Sequence, residues 1–343
     1  MQMALNNLKR TRKVGVIGNP LWPHTRERVI QKLYFKGHSL EKASELADNI
    51  QFYSTAYKQL LNRLGIETVN INYTSDDDKL KNILNSVDGV VFTGGRHDFE
   101  LIPQKINGLD FLKANPHQDT LFLKKLKFLF NESKNINEKG RYFPVLGFCL
   151  PMTVFLLFET DLQFNIAHVK HLQQNKPICF TDENSLLKRC LTPKQYKDIT
   201  TKNILFMNHH LGVTEEEFHR FSCISDNYLI SSYLTLPKYG KIVMGYEHKK
   251  YPIVNFQFHV EKNIYDKNED YKATYSPEAE EIGLSMGRLL YPKEDHSECN
   301  SKCNSECPCE LESYPFRDRN RNINLTMFSE NPEVSVLGSI RSF

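Results

Sequence analysis

The stretch FPVLGFCLPMTVFLLF, residues 143–158, decides the fold. Its first part is a short apolar run ending at Gly147, and a longer apolar run begins directly after Pro151. Proline suits the first turn of a helix, where its missing N–H has no partner to lose. Two interpretations follow. In one, a strand turns sharply into a helix and Cys149 sits at the turn. In the other, a buried strand happens to contain a cysteine. The first makes the segment half of a βαβ unit and places Cys149 beyond a strand's carboxyl end, where α/β sheets gather their chemistry.

The surrounding chain repeats the alternation. KVGVIGN (residues 13–19), IETVNINY (66–73) and DGVVFTGG (88–95) are apolar, β-branched runs of strand length. Between them lie NIQFYSTAYKQLLNRLG (49–65), DDDKLKNILNSV (76–87) and TLFLKKLKFLFNESK (120–134), with apolar residues at helical spacing. Further strands are expected in NILFMNHH (203–210), CISDNYLISSYL (223–234), KIVMGYEH (241–248) and YPIVNFQFHV (251–260). A last helix is expected over 276–291, with Ser276 as N-cap and Pro277 in its first turn. The pattern predicts an α/β fold: a doubly wound, mostly parallel sheet with helices on both faces. It divides the chain into a basic leader (1–12), one α/β domain (13–291) and an irregular, Cys-rich tail (292–343).

Composition narrows the function. The 343 residues are 40% hydrophobic and 25% charged, with a net charge of +3. That balance argues against a nucleic-acid or anionic-membrane partner. No run approaches the ~20 apolar residues of a membrane span. The leader MQMALNNLKRTRK lacks the apolar core of a secretory signal, although three N-x-S/T sequons, at Asn72, Asn131 and Asn324, permit secretion. Cys149, Cys179, Cys190 and Cys223 are scattered, whereas Cys299, Cys303, Cys307 and Cys309 crowd behind His296. The crowded set does not have the paired C-x-x-C spacing of common zinc sites, so disulfides, lipidation and metal scavenging stay open beside a disordered or processed tail.

A thiol at a strand-to-helix turn is set up for nucleophilic attack. The helix N-terminus favours the thiolate, and the next backbone N–H, that of Leu150, points at a developing oxyanion. A base is available in NFQFHVEKN (255–263), where His259 closes an apolar run and Glu261 follows two residues later. On an extended segment both side chains face one way, so Glu261 orients His259 and His259 serves Cys149. Gly94-Gly95, after the VVFT run, allows a close backbone approach and a second oxyanion donor, or is merely a turn. His209 and His210 are either cleft residues or an ordinary loop pair; no metal ligand set is evident around them.

These motifs together resemble the γ-glutamyl hydrolases of the class I glutamine-amidotransferase-like superfamily. YSTAYKQLLNRLGIETVNI is similar to the family's early helix and strand, DGVVFTGG to its oxyanion glycines, and FPVLGFCL to its nucleophile elbow. NHH and YPIVNFQFHVEKNIYD are similar to its later histidine and its catalytic-histidine segment. The resemblance implies Cys149, His259 and Glu261 as the catalytic set and the N–H groups of Gly95 and Leu150 as the oxyanion hole. It implies Tyr53, Gly94 and His210 as substrate-binding positions, with no metal and no cofactor. Folyl poly-γ-glutamates are the implied substrates, and a vacuole, lysosome or the extracellular space the implied compartment.

The chain also departs from the family pattern. Pro151 stands where the family has glycine, Thr153 where it has glutamate, and Val260 where it has proline. Tyr265-Asp266-Lys267 replaces an aromatic-acid-tryptophan ending. Three functions therefore stand in order. The first is a cysteine hydrolase of γ-glutamyl amides, acting alone or as a homodimer. The second is a degenerate member serving as a structural or binding component of a larger assembly. The third is a glutamine amidotransferase component feeding ammonia to a partner, for which no synthase domain is present in the sequence.

Overall fold

The computed structural model describes residues 11–21, 23–52, 55–95, 116–172, 177–180, 185–207, 209–263 and 277–291. The leader through residue 10, Tyr53, Ser276, the 265–267 ending and the Cys-rich tail lie outside the described residues.

The N-terminal half alternates strand and helix as the sequence pattern predicts. β1 (Lys13–Ile17) leads into β2 (Asn19–Pro20), α1 (Pro23–Phe35), α2 (Leu40–Asp48) and β3 (Gln51–Phe52). Then come α3 (Thr55–Arg63), β4 (Glu67–Ile71), α4 (Asp77–Ser86), β5 (Val90–Phe92), α5 (Pro116–Glu138), β6 (Val145–Phe148) and α6 (Leu150–Glu159). The 76–87 helix starts where the aspartate run allows: Asp76 is the N-cap, accepting from the Lys79 N–H at 2.7 Å, and Asp77 and Asp78 occupy the positive first turn.

The second half is more irregular. β7 (Ala167–Leu172), β8 (Cys179–Phe180), α7 (Leu186–Arg189), α8 (Pro193–Thr201) and β9 (His209–Thr214) precede α9 (Glu215–Arg220) and α10 (Ser222–Ser225). β10 (Tyr228–Leu236), β11 (Gly240–His248), β12 (Ile253–Phe256) and α11 (Pro277–Gly287) complete the elements that position the site. Several of the expected strands are shorter than the sequence suggests, the 251–260 run among them, which is strand only over Ile253–Phe256. The 203–210 run is strand only from His209 onward. In the 223–234 run, Cys223–Ser225 belongs to a helical turn and the strand begins at Tyr228.

The main sheet runs β4-β1-β5-β6-β12-β11-β10-β8. It is parallel from β4 through β12 and continues as an antiparallel wing, with β9 pairing β11 and β7 pairing β9. The parallel strands are apolar on both sides because both sides are covered. Val90, Phe92, Val145 and Ile253 join the core cluster that contains Leu80, Leu84, Phe122, Phe130 and Phe155 of α4, α5 and α6. Val14, Val16, Val91, Leu146, Val254 and Phe256 face the other way, against Tyr57, Leu60 and Leu61 of α3 and Ile282 and Met286 of α11. Helices thus cover both faces, the doubly wound arrangement expected from sequence. A third, smaller cluster holds α1 against α2 through Val29, Leu33, Ala43, Leu46 and Ala47. This helical hairpin is rooted in the two-stranded β2-β3 ribbon and was not foreseen from the sequence. Among the described residues no helix is long and apolar enough to cross a membrane.

The centre of the sheet has little spare room. β6 and β12 pair in register, Gly147 opposite Asn255. A Cβ on Gly147 would land on Asn255 Oδ1 and come within 2.9 Å of Pro151 Cβ. Gly147 is therefore required by close approach, because Asn255 is wholly buried and a proline ring cannot step aside. Gly147→Ala is expected to lower stability by about 1–3 kcal/mol through overpacking, read as a fall in urea midpoint. Adding Asn255→Ala is expected to recover part of that loss, since it empties the contested space.

Candidate active site

β6 and β12 are neighbours and parallel, so the residues that follow them emerge at the same edge of the sheet. Cys149 follows β6; Gln257, His259 and Glu261 follow β12. The sequence thereby brings together side chains more than a hundred positions apart. Cys149 is the N-cap of α6 and has φ 60° and ψ −96°, a left-handed backbone for a residue with a Cβ. Such a conformation costs of order 1–3 kcal/mol and persists only where its surroundings enforce it. The enforcing contact is the Cys149 N–H, which donates to Phe256 O at 2.6 Å. Tyr246 secures the helix from the far side, its hydroxyl donating to Met152 O at 2.9 Å.

His259 and Glu261, expected from the sequence to be a base and its orienting acid, are in contact. His259 Nδ1 lies 2.7 Å from Glu261 Oε1, and Glu261 is buried. The expectation of one extended segment is corrected here. β12 ends at Phe256, and residues Val260–Asn263 form a 3₁₀ turn. The turn, rather than strand alternation, folds Glu261 back onto the ring. His259 is held from behind by its own N–H, which donates to Phe206 O at 2.9 Å. The ring also lies close enough to the Cys149 sulfur for the two to interact electrostatically. Burial works against a charged imidazole, but the Glu261 carboxylate and the Cys149 sulfur outweigh it and raise the His259 pKa to about 10. Both neighbours favour the protonated form of the ring.

Gly94 closes the third side. A Cβ there would approach His259 Cε1 to 2.8 Å and Cys149 Cβ to 3.4 Å, so only glycine lets this backbone lie against both. Its N–H is already used: it donates to the Tyr57 hydroxyl at 3.1 Å. Tyr57, on α3, also lies beside the Glu261 carboxylate. Burial, then the neighbouring Glu261 charge, push its pKa well above the usual phenol range, so it stays a neutral donor. Sequence inspection placed Tyr57 only within the apolar stripe of its helix. The signal that could have found it is a hydroxyl on a fully buried helical position, which needs a partner.

The remaining predicted positions divide. Gly95 stands over the α6 N-terminus, where a Cβ would lie 3.2 Å from Leu150 Cδ2, so Gly95 and Leu150 share one corner of the site. Asn19, from β2, braces that corner by donating to Thr93 Oγ1 at 2.5 Å and to Gly94 O at 2.9 Å. His209 is buried on β9 and His210 lies beside it in the same strand. Pro151 and Thr153 are both buried in α6, so the position where the family resemblance expects a carboxylate near substrate carries an enclosed hydroxyl instead.

No family model matches the chain. Curated proteins do. "Probable gamma-glutamyl hydrolase 3" of Arabidopsis thaliana is 24% identical over 235 residues, covering 67% of this chain and 60% of that protein. "Gamma-glutamyl hydrolase B" of Dictyostelium discoideum is 22% identical over 217 residues, 62% of this chain and 57% of that protein. "Gamma-glutamyl hydrolase" of Rattus norvegicus is 21% identical, covering 72% and 73% respectively. The resemblance read from the motifs is borne out by these names. The matched region spans less than two thirds of the length of the first two relatives. Among solved structures, a GMP synthase component from Thermoplasma acidophilum superposes with a TM-score of 0.42 and 15% identity, over 82% of this chain and 92% of that one.

Two outcomes follow from the geometry. His259→Gln removes the cation beside the sulfur, so Cys149 alkylation by iodoacetamide at pH 7 is expected to slow at least about tenfold, the thiol titrating at higher pH. Tyr57→Phe removes the partner of the half-buried Gly94 N–H and is expected to cost about 1 kcal/mol in thermal or urea unfolding.

Proposed function

We propose that this chain is a cysteine hydrolase that cleaves γ-glutamyl amide bonds through a thioester acyl-enzyme, with folyl poly-γ-glutamates as its substrates. The observation that carries this is His259, bonded to Glu261 at 2.7 Å on one side and set against the Cys149 sulfur on the other. That chain of contacts supplies a nucleophile, a proton carrier and the group that orients the carrier. The names of the curated relatives supply the bond type.

The steps follow from proton positions. The Cys149 sulfur attacks the amide carbonyl carbon; a C–S bond forms and the carbonyl π pair moves to oxygen. The N–H groups of Leu150 and Gly95 serve as oxyanion donors, since the Gly94 N–H is committed to Tyr57. His259 passes its proton to the amide nitrogen, the C–N bond breaks and the amine leaves. Neutral His259 then takes a proton from water as the oxygen adds to the thioester. The C–S bond breaks, its pair returns to sulfur, and the glutamyl acid is released with the thiolate–imidazolium pair restored. Tyr57 and Glu261 keep the ring aimed throughout.

A second function is favoured by one observation. Thr153 is fully enclosed, and its Oγ1 has no partner among the described residues, so this helix position offers substrate no charge. A degenerate member with a structural or binding role would tolerate that loss.

The two are separated by incubating the purified chain and its Cys149→Ala variant with pteroyl poly-γ-glutamate at acidic and neutral pH. Release of glutamate and shortened chains is expected, reduced by a factor of about 10³ or more in the variant. Absence of cleavage, together with a Cys149 inert to thiol reagents, would establish the structural role instead.

A further inference from the structure

Gln257 is one residue past β12 and wholly buried. Its Nε2 donates to the Cys149 sulfur at 3.6 Å, within hydrogen-bonding reach for sulfur. Its backbone N–H donates to Met244 O at 2.9 Å, while the carbonyl of the preceding Phe256 accepts the Cys149 N–H at 2.6 Å. One peptide segment thus grips Cys149 twice, at the backbone and at the reacting atom. The other end of the amide, Oε1, is buried without a partner among the described residues. Burying an amide with one end unsatisfied is unfavourable, which leaves the sulfur contact as the interaction that orients this side chain.

We propose that Gln257 is a catalytic residue, whose side-chain N–H holds the Cys149 sulfur in its thiolate form and receives that charge again when the acyl-enzyme breaks down. The inference rests on Cys149 being the nucleophile proposed above. A hydrogen bond to a charged acceptor is stronger than one to a neutral acceptor, so the donor favours thiolate over thiol. The groups facing the sulfur are His259, with Glu261 behind it, the Tyr57 hydroxyl across the Gly94 N–H, and the α6 N-terminus, whose first turn carries no acidic side chain. Of the two side-chain donors at the sulfur, His259 and Gln257, only the imidazolium gives up its proton during turnover. When sulfur is expelled from the second tetrahedral intermediate, the C–S pair develops as charge on an atom that the amide never leaves. The amide does not titrate, so its contribution is the same at every pH at which the site is folded.

The test needs no substrate. Gln257→Leu and Gln257→Met, made in the full chain, remove the donor while keeping the volume roughly constant; either one that retains the wild-type circular dichroism serves. Iodoacetamide alkylation is followed across pH by mass on the peptide containing Cys149, apart from the other cysteines. The alkylation midpoint is expected to rise by about one pH unit, slowing alkylation about tenfold below it. Gln257→Glu, which sets a carboxylate against the sulfur, is expected to raise the midpoint further. A midpoint unchanged in the Leu and Met variants would overturn the assignment. So would a lowered one, since it would mean that Oε1 faces the sulfur and stabilises the thiol. Inertness toward pteroyl poly-γ-glutamate would instead count against the proposed substrate and leave the midpoint shift standing.

Discussion

The site hangs on the hydrogen bond from Cys149 N–H to Phe256 O. It joins the ends of two parallel strands, one leading into Cys149 and the other into His259, and it holds Cys149 in a backbone conformation that a side-chain-bearing residue would otherwise leave. Without it, β6 could run straight on and the sulfur would swing out of reach of His259. The register opposing Gly147 to Asn255 fixes where this bond falls. A slip of one residue would turn the apolar strand faces over and pair Cys149 with the wrong carbonyl. Stability of the central sheet and geometry of the site are therefore one requirement.

Three titratable side chains meet in a buried place. Glu261 and the Cys149 sulfur lie on either side of His259, and burial makes an unpartnered charge there expensive. The row is stable because each member answers the next. Tyr57 stays neutral beside Glu261, because burial and that charge push its titration out of reach. The same hydroxyl takes up the Gly94 N–H.

Much of this was legible in sequence, and the limits have physical causes. The strand-helix alternation through α6 could be read because buried parallel strands are continuous apolar runs bounded by turns, as in DGVVFTGG and FPVLGF. Cys149, His259 and Glu261 could be named as candidates because a thiol, an imidazole and a carboxylate stand in the order of a family whose motifs the chain resembles. What failed was local backbone shape where tertiary contacts prevail over propensity. FQFHVEK has the composition of a strand, yet the chain leaves the sheet after Phe256 and winds into a 3₁₀ turn. Tyr57 was invisible because an aromatic at helical spacing looks like core, and it is core except for one oxygen. The α1–α2 hairpin was missed because its buried stripe is thin, chiefly Val29 and Leu33 on α1, among many charged residues.

That hairpin has a bearing on how the molecule fails when heated. It keeps its own small cluster, apart from the two that sandwich the sheet, and its root carries Asn19, which steadies the Thr93-Gly94 corner. A satellite of this kind opens at a lower free energy than the body it is attached to. The Gly94–Gly95 corner is thus exposed to the melting of a peripheral module. That corner can come apart at a temperature where the sheet, the elbow and most of the helical signal are still intact.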